Sequence, residues 1–208
     1  MTDYAEAAVT AGGPVTGAIL AFSGSSRTGS LNRRLLDEAI GLITALDADV
    51  SQLDLRDLEL PLYDPDMEPR ECPWGVRVFR QLLSAHDGLV IATPECNGSL
   101  PPLLKNALDW SSVAVGRSSG LAPHRGKVAA IMSATAAGTP PAHCLDHLRT
   151  VLSTMGIVVL PDEITVSSAG SALGEKGLRG SPADRLLRRQ METLVRELQV
   201  PRIWIDLP

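Results

Sequence analysis

Residues 18–32 read AILAFSGSSRTGSLN, an apolar run that ends in a loop of small polar residues. Such a run, broken by Ser and Gly, is typical of a buried strand that enters a loop. Ser30 can cap a helix, because apolar residues recur after it with the helical period; they are Leu31, Leu35, Leu36, Ala39, Leu42, Ile43 and Leu46. The stretch therefore predicts a strand over Ala18–Phe22, a polar loop and a helix.

The same alternation continues outward along the chain. Further short apolar runs predict strands at Val50–Leu53, Gly88–Ala92, Val128–Met132 and Ile157–Leu160. Apolar stripes between and after them predict helices that open at Pro73, at Pro101 and Pro102, at Pro140 with Thr139 as the cap, and at Ser181. Strands that alternate with amphipathic helices in this way predict an α/β fold. We expect a parallel sheet covered on both faces, doubly wound in three layers.

Length and cysteine usage set the domain organisation and the expected compartment. A chain of 208 residues suits one domain. We expect a flexible N-terminal extension over residues 1–16, the domain over residues 17–200 and a C-terminal tail over residues 201–208. The N-terminus does not resemble a signal peptide, and no run approaches the about 20 apolar residues that cross a bilayer. Because Cys72, Cys96 and Cys144 show no C-x-x-C spacing, we expect reduced thiols, no zinc site and a cytoplasmic protein.

Charge and aromatic content exclude several partners. The chain has 19 Lys and Arg against 24 Asp and Glu, a net charge of −5, and only 3% aromatic residues. Nucleic-acid binders usually carry a concentrated basic face, and single-strand binders stack bases on aromatic rings. We therefore expect neither nucleic acid nor a membrane as a partner. His143 and His147 are four residues apart on a predicted helix, but without a third ligand they are interpreted as surface groups, and no metal site is predicted.

Three polar loops follow the first, third and fourth predicted strands. They read SGSSRTGS, TPECNGS and SATAAGT. In a doubly wound sheet, ligands bind outside the carboxyl ends of the strands, near the point where the strand order reverses. The three loops are therefore the predicted binding site.

The first loop has the residues of a phosphate site. Backbone N–H groups at a helix start favour an anion, and a guanidinium such as that of Arg27 suits phosphate. Arg33 and Arg34 also fall in the first helical turn, where the helix dipole disfavours cations unless an anion is bound. The P-loop and the G-x-G-x-x-G fingerprint are both absent, so a terminal monoester phosphate is favoured. A solvated serine-rich turn whose arginines point to water is the alternative interpretation.

Three segments resemble the NAD(P)H-dependent FMN reductases, a branch of the flavodoxin superfamily. GSSRTGSLN (Gly24–Asn32) resembles the phosphate loop of that family, and TPECNGSLPPLLKNALDWSS (Thr93–Ser112) resembles its second signature. LPLYDPDME (Leu60–Glu68) resembles the loop after its second strand. The three segments lie in the order and at the spacing of the family. The resemblance covers roughly residues 18–195 and implies a flavodoxin-like fold with a five-stranded parallel sheet in the order 2-1-3-4-5.

The resemblance also implies which residues bind FMN. The phosphate would be held at the first loop by Ser25, Arg27, Ser30 and Asn32, and Leu31 would also bind the cofactor. The isoalloxazine would be lined, largely through backbone groups, by Pro94, Glu95, Cys96, Asn97, Gly98 and Ser99. The pyrimidine edge would contact Ser133, Ala134 and Thr135. Cys96 stands where the family usually has tyrosine, and the SATAAGT loop is less rich in glycine than the family's.

The activity that the resemblance implies needs no side-chain acid, base or nucleophile, so no catalytic residue is predicted. NAD(P)H would give a hydride to the flavin, and a flavin, quinone, azo compound or metal oxyanion would take the electrons. One alternative is a flavodoxin-like electron carrier or regulatory protein that does not react with nicotinamide; another is a domain that has lost flavin binding. The family commonly forms dimers or tetramers, so a homodimer or homotetramer is expected, with Trp110 and residues 111–121 at the contact.

Overall fold

The computed structural model describes residues 17–67, 72–116, 118–141, 143–174 and 176–200. The predicted N-terminal extension and C-terminal tail both lie outside the described residues. The domain boundary at residue 17 therefore stays a prediction.

The described chain alternates strands with helices around one parallel sheet. The strands are β1 (Ile19–Ser23), β2 (Val50–Leu53), β3 (Gly88–Ala92), β4 (Val128–Ala134) and β5 (Val158–Val166). The helices are α1 (Leu31–Ala45), α2 (Trp74–Ala85), α3 (Pro102–Ser111), α4 (Cys144–Thr154), α5 (Ala169–Ala172) and α6 (Pro182–Leu198), and a 3-10 turn spans Leu55–Leu58. The sheet order is β2-β1-β3-β4-β5 with every pair parallel, which confirms the predicted fold class.

Alternating strand residues divide the core into two halves. Leu20, Phe22 and Ile91 face α2, α3 and α4 on one side of the sheet. Ile19 and Ala21 face the other side, where α1 and α6 pack. Because successive strand side chains point to opposite faces, both faces are covered and the strands read as continuous apolar runs. The carboxyl ends of the strands are thereby left as the open edge of the sheet. None of the described helices is long and apolar enough to cross a membrane.

The fifth strand is longer than predicted. It runs to Val166, although the apolar run that predicted it ends at Leu160. The pairing of β5 with β4 breaks between Val159 and Glu163, where Pro161 has no N–H to donate. The Gln190 amide, fully buried on α6, donates to the carbonyls of Ile131 and Asp162 at 3.3 and 2.7 Å. A side chain from a distant helix therefore bridges the break, which local sequence patterns do not reveal.

The fourth helix begins later than predicted. Helix α4 starts at Cys144, so the prediction of Thr139 as the cap and Pro140 as the first residue was wrong. Pro141 explains the delay, because a proline disfavours helical backbone in the residue before it. The caps at Ser30 and Ser181 are confirmed, since their hydroxyls accept the N–H groups of Arg33 and Asp184.

Trp110 is buried, so its prediction as a subunit contact was wrong. Only 2% of the residue is exposed. Its indole N–H donates to the Pro61 carbonyl at 2.8 Å, and its ring meets the Tyr63 ring edge-on at 5.2 Å between centroids. The side chain therefore pins the loop after β2 onto α3 within one chain.

Candidate functional site

A cleft of about 670 Å³ opens at the carboxyl ends of the strands. Its walls come from the loop between β1 and α1, the start of the loop after β3, and the segment after β4. The residues lining it are Ser25, Arg27, Thr28, Gly29, Ser30, Leu31, Asn32, Pro94, Glu95, Ala134, Thr135, Ala136, Ala137, Thr139, Pro140 and Pro141. The predicted loops therefore do meet at one edge of the sheet.

Serine hydroxyls shape the loop between β1 and α1. The Ser23 hydroxyl accepts the N–H of Ser25 at 3.2 Å, and the Ser25 hydroxyl accepts the N–H of Arg27 at 3.3 Å. The Ser30 hydroxyl accepts the N–H of Arg33, also at 3.3 Å. All three serines are buried. These bonds turn the chain from β1 into α1 without using the N–H groups between Arg27 and Arg33.

Most of those intervening N–H groups are open. Within the described part of the chain, the backbone N–H groups of residues 28, 29, 31 and 32 have no hydrogen-bond partner, and residues 28–32 all line the cleft. The Arg27 guanidinium is exposed there and forms no ion pair or hydrogen bond with any described residue. A row of free N–H groups at a helix start, with an unpaired cation beside it, is a site for an anion.

The other two arginines of this helix start are committed elsewhere. The Arg33 guanidinium pairs with Asp54 at 2.5 Å, and Asp54 also binds Arg56 at 2.6 Å. Burial alone would raise the pKa of the Asp54 carboxyl, but hydrogen bonds from Arg56 and Arg33 outweigh burial and hold that pKa well below its usual value. The Arg34 guanidinium lies against the Gly174 carbonyl at 3.5 Å. The predicted arginine cluster is therefore dispersed, and Arg27 alone of the three lines the cleft.

Asn32 connects two walls of the cleft. Its side-chain NH₂ donates to the Ala134 carbonyl and its side-chain oxygen accepts the Ala134 N–H, both at 2.8 Å. The residue is only 3% exposed. Both ends of the amide are thus used to hold the start of α1 against the end of β4. Asn32 lines the cleft as predicted, but its side chain positions the loops.

The loop after β3 forms a tight turn. Cys96 and Ser99 exchange N–H···O bonds of 2.9 and 3.0 Å. Asn97 and Gly98 both have positive φ, 50° and 73°, which is the backbone of a type I′ turn and the reason for Asn-Gly at its centre. The Glu95 carboxylate accepts the N–H groups of His143 and Cys144 at 2.7 and 3.1 Å. The start of α4 is therefore capped by a side chain from the neighbouring loop.

Five predicted site residues do not line the cleft, and several unpredicted ones do. Ser133 is fully buried under it, with its hydroxyl 3.6 Å from the Cys144 sulfur. Cys96, Asn97, Gly98 and Ser99 lie in the adjoining turn. The unpredicted lining comes mostly from the segment that was expected to open α4, namely Ala136, Ala137, Thr139, Pro140 and Pro141, together with Thr28 and Gly29. The Pro140–Pro141 pair was the available signal, because it disfavours a helix start there.

The lining of the cleft is polar and aliphatic. It contains no aromatic residue of the described chain, and neither Tyr63 nor Trp74 lines it. Cys96 and the other two cysteines are free thiols. The described residues contain no group of three or more His, Cys, Asp or Glu side chains that could hold a metal ion.

The fold and the cleft together define a class of protein. A five-stranded parallel sheet in the order 2-1-3-4-5, with an open N–H row at its first strand-to-helix loop, is the architecture of flavodoxin-like proteins. The sequence model of the family described as NADPH-dependent FMN reductase matches residues 18–171. The chain belongs to that family.

Individual relatives agree with this assignment. The chain is 36% identical over 179 residues to the NAD(P)H-dependent FMN reductase of Pseudomonas aeruginosa, a match that spans 85% of this chain and 92% of the relative. It is 33% identical over 160 residues to the 2-hydroxy-1,4-benzoquinone reductase of a Burkholderia species, spanning 73% of this chain and 83% of that one. The structure of the flavoenzyme NAD(P)H:(acceptor) oxidoreductase FerB from Paracoccus denitrificans superposes with a TM-score of 0.74 at 22% identity, covering 88% and 97% of the two chains. At 22% identity, the match to FerB shows a shared fold and nothing more.

Proposed function

We propose that this protein is an FMN-dependent NAD(P)H oxidoreductase that delivers electrons to a small acceptor. Membership of the NADPH-dependent FMN reductase family supports the flavin and the nicotinamide cosubstrate. The names of relatives that reduce quinones support a quinone-type acceptor. A flavin, an azo compound and a metal oxyanion are the other acceptors to be tested.

One observation of the chain itself carries the cofactor assignment. The N–H groups of residues 28, 29, 31 and 32 have no partner within the described residues, and Arg27 lies unpaired beside them in the cleft. These donors suit the terminal phosphate of FMN, whose oxygens can each accept several hydrogen bonds. Ser25, Ser30 and Leu31 belong to the same loop, and in this proposal Asn32 holds the loop in place from behind.

The cleft is compatible with the rest of the cofactor. Its volume of about 670 Å³ falls within the about 300–1,000 Å³ of typical ligand pockets. Pro94, Glu95, Ala134 and Thr135 also line it, and the proposal places the isoalloxazine beside them. Cys96 to Ser99 are proposed to contact the ring edge through the backbone of their turn, while buried Ser133 supports the wall from below.

The protein's own contribution to the reaction is binding and positioning. Bound FMN supplies hydride acceptance from NAD(P)H and electron delivery to the acceptor. The first loop fixes the phosphate, and the Asn32 amide keeps that loop at a constant distance from the end of β4. No side chain of the chain is assigned as an acid, base or nucleophile, and no metal takes part in this proposal.

An anaerobic absorption spectrum tests the activity. Purified protein is expected to show the visible bands of bound flavin, and both bands should bleach on addition of NADPH or NADH and recover with a quinone. A flavin spectrum that nicotinamide does not bleach would instead identify an electron carrier or regulatory protein. A protein that stays colourless after incubation with FMN would overturn the cofactor assignment.

A homodimer or homotetramer in the cytoplasm is part of the same proposal. Since Trp110 is internal, the apolar contact surface is proposed to include Leu62 and Trp74, which are 84% and 52% exposed. Light scattering on a size-exclusion column measures the assembly. A monomer at micromolar concentration would contradict this part of the proposal and leave the cofactor assignment intact.

A further inference from the structure

Helix α4 holds the turn of residues 95–99 at two points. At the first residue of the turn, the Glu95 carboxylate accepts the N–H groups of His143 and Cys144 at 2.7 and 3.1 Å. At the last residue, the Ser99 hydroxyl lies 3.0 Å from Nδ1 of His147, one helical turn further along. The two contacts use successive turns of one helix face. The turn between them is therefore fastened at both of its ends.

These two contacts with α4 matter because the turn of residues 95–99 has few hydrogen bonds of its own. Its backbone is closed only by the exchange between Cys96 and Ser99, and the N–H groups of Asn97 and Gly98 have no partner among the residues that the structure describes. Asn97 also adopts a left-handed backbone, with φ 50°, that side chains other than glycine, asparagine and aspartate rarely favour. A turn of this kind stays rigid only if its surroundings determine its conformation.

The charge of Glu95 also closes an alternative anion site. The first N–H groups of a helix attract an anion, and α4 begins at Cys144, three residues after Pro141, which lines the cleft. Because Glu95 occupies those donors, the start of α1 is left as the open helix terminus of the cleft. An intramolecular carboxylate therefore occupies the donors at the start of α4 that a ligand phosphate could otherwise use.

We infer that Glu95 and His147 are positioning residues that hold the 95–99 turn in the conformation which receives the flavin ring. Neither side chain needs to contact the flavin. The inference rests on the proposed function for the identity of the ligand, whereas the fastening itself is a property of the flavin-free chain. It gives His147 a role beyond that of a surface histidine, and it gives the Glu95 side chain a role distinct from its backbone.

Hydrogen exchange of the flavin-free protein tests the fastening. The amide protons of Cys96 and Ser99 are expected to exchange about tenfold faster in Glu95→Gln and in His147→Leu than in the wild type. This is the change that loss of one hydrogen bond to a charged or polar group produces. His147→Gln, whose amide offers both a donor and an acceptor to the Ser99 hydroxyl, should restore slow exchange. Asp146→Asn is the matched control, because Asp146 is an exposed carboxylate in the first turn of α4 that does not contact the turn of residues 95–99.

Flavin titrations then test the consequence for the site. Glu95→Gln and His147→Leu should weaken FMN and riboflavin by the same factor of about ten, because the turn serves the ring, which the two ligands share. They should also shift the visible bands of the bound flavin, while Asp146→Asn leaves the affinities and the bands unchanged. Unchanged exchange in both variants, or weakening of FMN alone, overturns the inference while the proposed function stands. A wild type that binds neither flavin overturns the proposed function, and with it the role assigned to the turn.

Discussion

Two arginines, each surrounded by backbone polar groups, show how this chain separates structure from function. Arg80 on α2 is 6% exposed, and its guanidinium donates to the carbonyls of Ser111, Gly120 and Ser119 at 2.5, 2.8 and 3.1 Å. Arg27 is exposed in the cleft, beside N–H groups that have no partner within the described residues. A buried cation whose donors are satisfied holds a loop in place. An exposed cation beside open N–H groups is placed to bind an anion.

The segment around Arg80 is a buried hydrogen-bond network. The Ser111 hydroxyl donates to the Leu108 carbonyl at 2.8 Å and lies 2.9 Å from Nε2 of fully buried His124. Gly120 packs so closely that a Cβ there would lie 1.8 Å from the Ser112 carbonyl oxygen. Substitutions in this network should therefore change the free energy of unfolding and leave flavin binding alone, whereas substitutions at Arg27 should do the reverse.

The largest effect is expected for Arg80→Met. The variant keeps an apolar chain but leaves three carbonyls without their donor, so the free energy of unfolding should fall by about 4 kcal/mol. Arg77→Met on the same helix is the control. Arg77 is exposed and donates to the Cys72 carbonyl, so its loss should amount to less than about 1 kcal/mol. Urea denaturation measures both, and equal losses would contradict the contrast between the two regions.

Acid should weaken the same network through His124. Burial lowers the pKa of His124 to about 4, and the charges of Arg80 and Lys127 add to the shift. In the unfolded chain a histidine binds a proton below about pH 6.5. The free energy of unfolding therefore has its full value above about pH 6.5 and falls by about 3 kcal/mol as the pH decreases towards 4.

Denaturation measured between pH 7 and 4 tests this pH dependence. His124→Gln is expected to flatten that part of the profile, even though the variant is less stable at every pH. His143→Gln, which replaces an exposed histidine, should keep the slope of the wild type. A slope that survives in His124→Gln would assign the acid sensitivity to another group.

Arg27→Ala tests the exposed arginine of the pair compared above. Loss of a charged hydrogen bond to the phosphate should weaken FMN by about 1.5–3 kcal/mol, while the unfolding of the flavin-free protein and the affinity for riboflavin stay as in the wild type. Arg34→Ala is the matched control, because Arg34 also belongs to the start of α1 but lies against Gly174. An unchanged FMN dissociation constant in Arg27→Ala would rule out the phosphate site.

The smallest effect is expected at Ser30, which both stabilises the fold as a helix cap and lines the cleft. Ser30→Ala removes the cap of α1 and Ser181→Ala removes the equivalent cap of α6, so each should cost about 1 kcal/mol of unfolding free energy. Only Ser30 lies in the cleft. Thermal melts should therefore shift alike, while flavin titration separates the variants. If Ser30→Ala bound FMN as well as Ser181→Ala does, the Ser30 hydroxyl would have no part in the site.

The fold was predictable because its signals are local. The apolar runs gave the existence of all five strands, and Ser30 and Ser181 marked two helix starts correctly. The family resemblance implied the strand order, and the structure confirms it. The two errors in element bounds have different causes: the Gln190 amide bridges the break in β5 from a distant helix, whereas Pro141, a local signal, delays the start of α4.

The location of the site could be predicted from the sequence, but most of its side-chain contacts could not. Alternation of strands and helices was enough to bring the polar loops to one edge, and the first loop lines the cleft as expected. The pairing of Arg33 with Asp54, the use of both ends of Asn32 by Ala134, and the burial of Ser133 all depend on tertiary neighbours. The sequence shows which hydrogen-bonding groups are present, but it does not show which of them pair with each other in the folded chain.

The central claim is that the unsatisfied N–H row at the start of α1 holds a phosphate. Calorimetric titration of the flavin-free wild type with FMN and with riboflavin, which lacks only that phosphate, tests it most directly. FMN is expected to bind at least about a hundredfold more tightly, the difference that two hydrogen bonds to a charged group provide. Equal affinity for the two flavins, or no binding of FMN, would contradict the account.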